Sequence, residues 1–395
     1  MSEIATPLEI SLPDFNQWDQ ILQGAGQNLP CLVLDQERFL ANLELARSRA
    51  QPGIGLRVVA KSLAALPMLD LAVEKLGAVG VMTFSAGMLQ GLLQQRPQLD
   101  HLLGKPLPAS AAAAVLDQQL NAPDQVIWLI DTFYRAQQYA ALAAARAVTL
   151  RVAIELDVGL HRGGVDPADL AALVSEIQQM PALRLEGVMG YEPHLAKLPA
   201  PLHKRSKRLV DQGLKTAAEL LQQAGVTQQS GQPALVNTGG SLTFANYSSV
   251  QGVSEISLGS VLVKPQDFTL PATEGFLPAM FIATPILKYR ANNPLPGLEP
   301  LSRLLRWRHR ANLAIYGGYW KATPVHPQGY DYSGIFGRSS NQEVWAGPQL
   351  EASPVDHFAF LHPHQSEAVI PEFGEVLVLS EGRIAETWHA LSGTH

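Results

Sequence analysis

Lys61 follows the apolar run Leu56-Arg57-Val58-Val59-Ala60, which reads as a short buried strand. A lysine there has a dry stem and an amine at the strand mouth. Such an amine can attack a carbonyl and form a Schiff base. Much later comes Asn237-Thr238-Gly239-Gly240-Ser241, after another apolar run. A turn of small residues can point backbone N–H groups at a phosphate. An imine-forming lysine and a phosphate cradle are the two anchors that pyridoxal phosphate requires.

Elements must hold those anchors. Short apolar runs recur at 56–60, 78–84, 101–103, 125–130, 149–156, 185–189, 234–236 and 254–258. Helical patterns lie between them, at 63–76, 88–95, 133–147, 167–179 and 203–224. Eight strands alternating with helices argue for an α/β fold with a parallel sheet. A closed (β/α)8 TIM barrel is the best single architecture for this span. Periodicity does not see closure, so an open doubly wound sheet shares the pattern. After residue 285 helical periodicity fades, turn residues rise and alternating runs appear at 311–316, 357–361, 375–379 and 383–388. That is a second, mostly β domain. Residues 31–284 are expected to form the barrel. Residues 1–30 and 285–395 are expected to form the β-rich domain.

The 395 residues carry 47% hydrophobic and 16% charged side chains, which suits a globular chain with a large core. Net charge is −6 with no long basic run, so nucleic acid and membrane surface have no electrostatic support as partners. The single cysteine, Cys31, excludes an intramolecular disulfide, and a reducing cytoplasm is the natural reading. The start lacks the basic and apolar segments of a signal peptide. The alanine-rich stretch 139–156 is interrupted by Arg146, Arg151 and Glu155 and reads as no membrane span.

Five motifs occur in order. They are Ala60-Lys61-Ser62, the stretch 155–165 with Glu155, Asp157, Arg162 and Gly163-Gly164, Gly190-Tyr191-Glu192, Thr238-Gly239-Gly240-Ser241, and Ser257-Leu258-Gly259-Ser260. Together they resemble fold-type III pyridoxal-phosphate enzymes, and within these the D-threonine aldolase / D-serine dehydratase-like family, whose barrel is of the alanine racemase N-terminal type. The resemblance covers residues 31–270 and extends to Pro363-His364-Gln365-Ser366-Glu367. It implies a (β/α)8 barrel with a C-terminal β domain that completes the active site, a homodimer, and bound pyridoxal 5'-phosphate. In that family the run around Cys31–Asp35 leads from the β domain into the barrel.

The resemblance also assigns roles. Lys61 carries the Schiff base. Thr238, Gly239, Gly240 and Ser241 hold the phosphate with Gly259 and Ser260. Tyr191 lies beside the cofactor ring. Arg162, near Asp157, lines the wall and meets the ring, a ring substituent or the substrate carboxylate. His194 acts as acid or base at the substrate hydroxyl. Ser257 stands where alanine racemases carry an arginine against the pyridine nitrogen, which argues mildly against such a racemase. In the aldolases and dehydratases a His-x-Cys or His-x-Asp pair binds a divalent metal. Here the pair is His364 and Ser366, a weaker set unless Glu367 or His362 substitutes.

The implied activity is a lyase acting on D-β-hydroxy amino acids, by retro-aldol cleavage or by dehydration and deamination. The partner is a small amino acid, not nucleic acid or membrane. An amino-acid racemase is the alternative, with Tyr316 and Tyr319 available as a second base. A non-catalytic cofactor carrier would lack the domain beyond residue 285, and a cofactor-free Schiff-base aldolase would lack yellow absorbance.

Overall fold

The computed structural model describes residues 11–119, 121–247, 252–291, 297 and 311–393. The chain forms two compact units.

The first unit comprises 1–42, 263–269 and 276–390. Its strand β1 (Cys31–Asp35) is apolar and buried over Cys31, Leu32, Val33 and Leu34. Continuous apolar character suits a strand covered on both faces. The strands that complete its sheet follow residue 279, and the strands that lie between in sequence belong to the other unit.

That second unit comprises 43–262, 270–275 and 391–395. It holds the parallel strands β2 (Gly55–Val59), β3 (Gly80–Thr83), β4 (His101–Leu103), β5 (Val126–Ile130), β6 (Leu150–Glu155), β7 (Leu183–Met189), β8 (Leu235–Thr238) and β9 (Glu255–Leu258). They close into a barrel in sequence order, with β9 pairing back onto β2 through Gly55 to Glu255 and Val58 to Leu258. The eight apolar runs in the sequence are these strands. Closure is therefore settled in favour of the barrel. Gly187 on β7 marks a tight approach of two backbones. A Cβ there would fall 1.9 Å from the Leu235 carbonyl oxygen.

The N-terminal end of the barrel is filled by charge. Arg57 on β2 donates from Nε to Glu255 Oε2 at 2.7 Å and from Nη2 to Asp100 Oδ2 at 2.9 Å. Arg151 on β6 binds the other Asp100 oxygen at 2.5 Å and meets Glu186 at 2.9 Å. Arg57 and Glu186 are fully buried. The Arg57 guanidinium also donates to the carbonyls of Asp100 and Val81 at 3.1 and 3.3 Å. Coulombic attraction to Glu255 and Asp100 outweighs burial and raises its pKa. Buried charges persist only when paired and hydrogen-bonded in this way.

In the first unit, β10 (Met280–Ala291), β11 (Ala311–Tyr316), β12 (Ala322–His326), β13 (Asp331–Tyr332), β14 (Gln342–Gly347), β15 (Phe358–Pro363), β16 (Glu375–Ser380) and β17 (Arg383–His389) follow. The sheet order is β13-β14-β11-β10-β1-β16-β17, with β15 joining β10 and β12 joining β15. Strand β1 pairs antiparallel with β10 and parallel with β16. The segment 321–334 contains β12 and β13. A helix, Phe15–Gly24, is capped by Asp14, whose side chain accepts the N–H groups of Asn16 and Gln17. Its Phe15, Trp18 and Leu22 pack in one cluster with Val33, Phe281 and Phe360. Spacing of three and four residues puts these side chains on one face. Cys31 belongs to the same cluster, and burial pushes its thiol up to about 12. It is a packing residue with no thiolate chemistry at neutral pH. No helix among the described residues is long and apolar enough to cross a membrane.

Candidate active site

Strand β2 ends at Val59, and the next four residues make a 3-10 turn, Ala60–Leu63, that carries Lys61. Lys61 is half-buried, with its ammonium 4.5 Å from the centroid of the Phe84 ring. The neighbouring Ser62 is buried, and its hydroxyl shares a 3.0 Å hydrogen bond with the hydroxyl of Ser260. Ser260 follows β9, in the turn Ser260–Leu262. Ser241, from the turn after β8, accepts the N–H of Gly259 at 3.2 Å and that of Val261 at 3.1 Å. The lysine turn and both glycine-containing turns are thus joined by direct hydrogen bonds at the C-terminal ends of adjacent strands. Barrel enzymes place their chemistry at this end.

Glycine is required at these turns for contact. A Cβ on Gly259 would stand 2.7 Å from Val59 Cβ and 3.0 Å from Ser62 Cβ. A Cβ on Gly240 would stand 2.7 Å from Tyr191 Cε2. Tyr191 follows β7 and supports the cradle from below, with the Arg162 guanidinium 5.2 Å over its ring. Arg162 itself is exposed. Glu155, half-buried at the end of β6, lines the same small cavity as Arg162 and Tyr191. Burial raises its pKa, and the Arg162 charge works against that shift.

Thr238 and Gly239 do not turn their donors outward. The Thr238 hydroxyl donates to Glu192 at 2.6 Å and the Gly239 N–H to the same oxygen at 3.3 Å. Glu192 sits inside the motif read from sequence, yet its role there was not legible. A carboxylate beside Tyr191 reads as a surface residue until burial is known. Ser62 stands in the lysine motif, but its contact is not legible in sequence, since its partner Ser260 is 198 residues away in the chain.

His194 lies in the 3-10 turn Pro193–Lys197 after β7, with its Nε2 near Gly159. Burial lowers its pKa, opposed by the Glu192 charge, so the ring is neutral at pH 7. Asp157 accepts the N–H groups of Gly159 and His161 and meets His161 Nδ1 at 2.8 Å. That carboxylate shapes the loop carrying Arg162. Ser257 on β9 donates to Asn237 Oδ1 at 3.0 Å.

The residues beside His364 belong to the first unit. His364 Nε2 shares a 3.0 Å hydrogen bond with the Thr323 hydroxyl. The Ser366 hydroxyl donates to Glu367 at 3.3 Å. His362 is buried, with Nε2 on the Lys264 carbonyl at 2.9 Å and Nδ1 on Gln266 at 2.8 Å. Burial lowers its pKa to about 4, so it stays neutral. No group of three or more His, Cys, Asp or Glu side chains is placed to hold a metal among the described residues. This donor set, a histidine on a threonine hydroxyl beside a neutral serine, does not fit a divalent ion. Tyr319, a sequence-level candidate for a second base, is 65% exposed and holds φ at 62°.

A closed barrel bearing a lysine after its first strand, glycine turns after its last two, and a mostly β partner unit has the architecture of fold-type III pyridoxal-phosphate enzymes. The chain belongs to the family described as alanine racemase, N-terminal domain, which matches residues 34–266. Members of this family use pyridoxal phosphate. Solved structures share the fold. A cysteine-to-alanine variant of D-threo-3-hydroxyaspartate dehydratase in its metal-free form superposes with a TM-score of 0.73 at 20% identity, over 92% of this chain and 97% of that one. D-threonine aldolase from Filomicrobium marinum gives 0.72 at 18% identity, over 98% of each chain. Alanine racemase of Clostridium difficile 630 gives 0.67 at 13% identity, over 91% and 97%. No curated protein matches the chain.

Proposed function

We propose that the protein is a pyridoxal-phosphate lyase acting on D-β-hydroxy amino acids, by retro-aldol cleavage or by dehydration. The carrying observation is the Ser62–Ser260 contact at 3.0 Å, which joins the lysine turn to the glycine turns so that one small phosphorylated aldehyde can reach both. When bound, the cofactor supplies an electron sink for a bond at the substrate Cα. The chain's residues do the rest. Lys61 Nζ would hold the cofactor by its aldehyde and would be the group placed to move a proton at the substrate Cα. The serine and glycine turns after β8 and β9 bind the phosphate. Tyr191, under Arg162, limits the site on the β7 side. His194 takes the proton of the β-hydroxyl in cleavage, leaving glycine and an aldehyde. In dehydration the Cα proton and the β-hydroxyl leave, and water converts the product to a keto acid and ammonia.

The lyase reading is supported over a racemase by Ser257, whose hydroxyl is engaged with Asn237 where a racemase of the named type has a cation. A racemase would need a second base, for which Tyr316 and Tyr319 are available, both exposed. A homodimer and a cytoplasmic setting complete the proposal.

The test is a screen of D- and L-threonine, D- and L-serine and 3-hydroxyaspartate, with metal or chelator present. Release of aldehyde or keto acid from D isomers, unchanged by chelator, is expected. Loss of optical rotation with neither product released would replace the lyase with a racemase.

His194 gives a second expectation. Its folded pKa is lowered, so the neutral ring persists below the ordinary histidine value of 6.5. The acid limb of kcat/KM should therefore fall below pH 6.5. His194→Ala should lower kcat by roughly 10²–10⁴-fold and remove that limb. A limb that persists in the variant assigns the base elsewhere.

A further inference from the structure

Glu192 sits in the stretch after β7 that also carries Tyr191 and His194, and its carboxylate is fully buried. Such a group is tolerated only where donors meet it. Three do, from the last residue of β8 and the turn that follows it. Thr238 Oγ1 donates to Oε2 at 2.6 Å, the Gly239 N–H donates to the same oxygen at 3.3 Å, and Thr243 Oγ1 donates to Oε1 at 2.7 Å. Thr243 Oγ1 in turn accepts the Gly240 N–H at 3.1 Å. One anion therefore orders two consecutive backbone N–H groups, the first directly and the second through a hydroxyl. Gly239 holds φ at 80°, a conformation glycine adopts without strain. On the far side lies Tyr247, buried under the Lys207 ammonium, which is 4.5 Å from its ring centroid. Burial and the Glu192 carboxylate push that phenol well above its ordinary range.

We propose that Glu192 is a positioning residue: it holds the 238–243 turn in the shape that receives the cofactor phosphate. This rests on the reading of Lys61 and that turn as the cofactor site. The sign of the charge makes the idea testable. A carboxylate near a phosphate dianion repels it, so if proximity were its whole effect, neutralising Glu192 would tighten phosphate binding. A positioning group has the opposite signature. Glu192→Gln keeps the size but replaces one acceptor oxygen with an NH2 donor. Thr243 Oγ1 already accepts from Gly240, so its own proton would lose its acceptor and the turn would loosen.

The experiment strips the purified protein of cofactor and titrates it with pyridoxal phosphate and, separately, with pyridoxal, reading the imine absorbance. Glu192→Gln is expected to raise the Kd of pyridoxal phosphate about tenfold, while the Kd of pyridoxal moves less than about twofold. Far-UV circular dichroism should match wild type. An unchanged or tighter Kd for pyridoxal phosphate would overturn the proposal, and so would an equal loss for both ligands. Should Glu192→Gln not fold, Thr243→Val removes the hydroxyl that links Glu192 Oε1 to the Gly240 N–H and leaves the Thr238 and Gly239 contacts in place. It should weaken pyridoxal phosphate about threefold to tenfold and spare pyridoxal, and no change would again overturn the proposal. A wild-type protein that forms no imine with either ligand would instead sink the reading of Lys61, a separate result.

Discussion

Lys61→Ala, purified with pyridoxal phosphate, should show no absorbance that borohydride fixes onto the chain, and turnover should fall at least about a thousandfold. The amine is the anchor for the aldehyde and, in both lyase routes, the group placed to move a proton at Cα. No neighbour can replace it in the described site. Lys264, which is buried, belongs to the other unit and donates its ammonium to the Phe276 carbonyl at 2.7 Å. Reduction followed by peptide mapping reads the result. A covalent, reducible chromophore that survives in Lys61→Ala would remove the assignment of that lysine.

Arg57→Met should destabilise the protein by about 3–5 kcal/mol. The guanidinium is fully buried and serves both Glu255 and Asp100. Methionine fills much of its volume but leaves Glu255 without its cation inside the barrel. Asp100 retains Arg151 at 2.5 Å. The double change Arg57→Met with Glu255→Leu removes both members of the stranded pair and should be less costly than Arg57→Met alone. Denaturant midpoints compare the three proteins. A loss under about 1 kcal/mol for the single change, or a larger loss for the double, would show that the network contributes nothing beyond exposed pairs.

Much of this fold is legible in sequence because barrel strands buried on both faces read as continuous apolar runs. The run 125–130 matches the strand Val126–Ile130 within one residue. The β-unit runs 311–316 and 375–379 match β11 and β16 within one residue. What escaped has physical reasons. The helix Gln36–Arg49 buries only Phe39, Leu43 and Ala46 beside Asn42, and a stripe so narrow in a polar segment gives little periodic signal. The helix Ser366–Phe373 sits where the sequence shows only a metal-like motif. Arg57 was visible as a charge inside an apolar strand, and Arg151, Glu186 and Glu255 were visible likewise. Such residues demand partners, but one sequence does not say which. The site followed the same division. Lys61 and the glycine turns are recognisable by type, since an amine and Cβ-free turns are chemically distinctive. The Ser62–Ser260 bond and the Glu192 clasp arise only where distant strands become neighbours, and no local pattern encodes that.

The pairing of β1 on both edges carries a consequence for biosynthesis. Leu32 aligns with Ile282 on one side and with Val376 on the other. The β16 partner leaves the ribosome about 340 residues after β1 itself, which takes roughly 20–70 s at ordinary elongation rates. The barrel strands are all delivered within that interval, whereas an apolar ribbon emerging early stays without its neighbours and is open to stray association. Slow translation of the last hundred codons should therefore show up first as dependence on chaperones and not as lost chemistry.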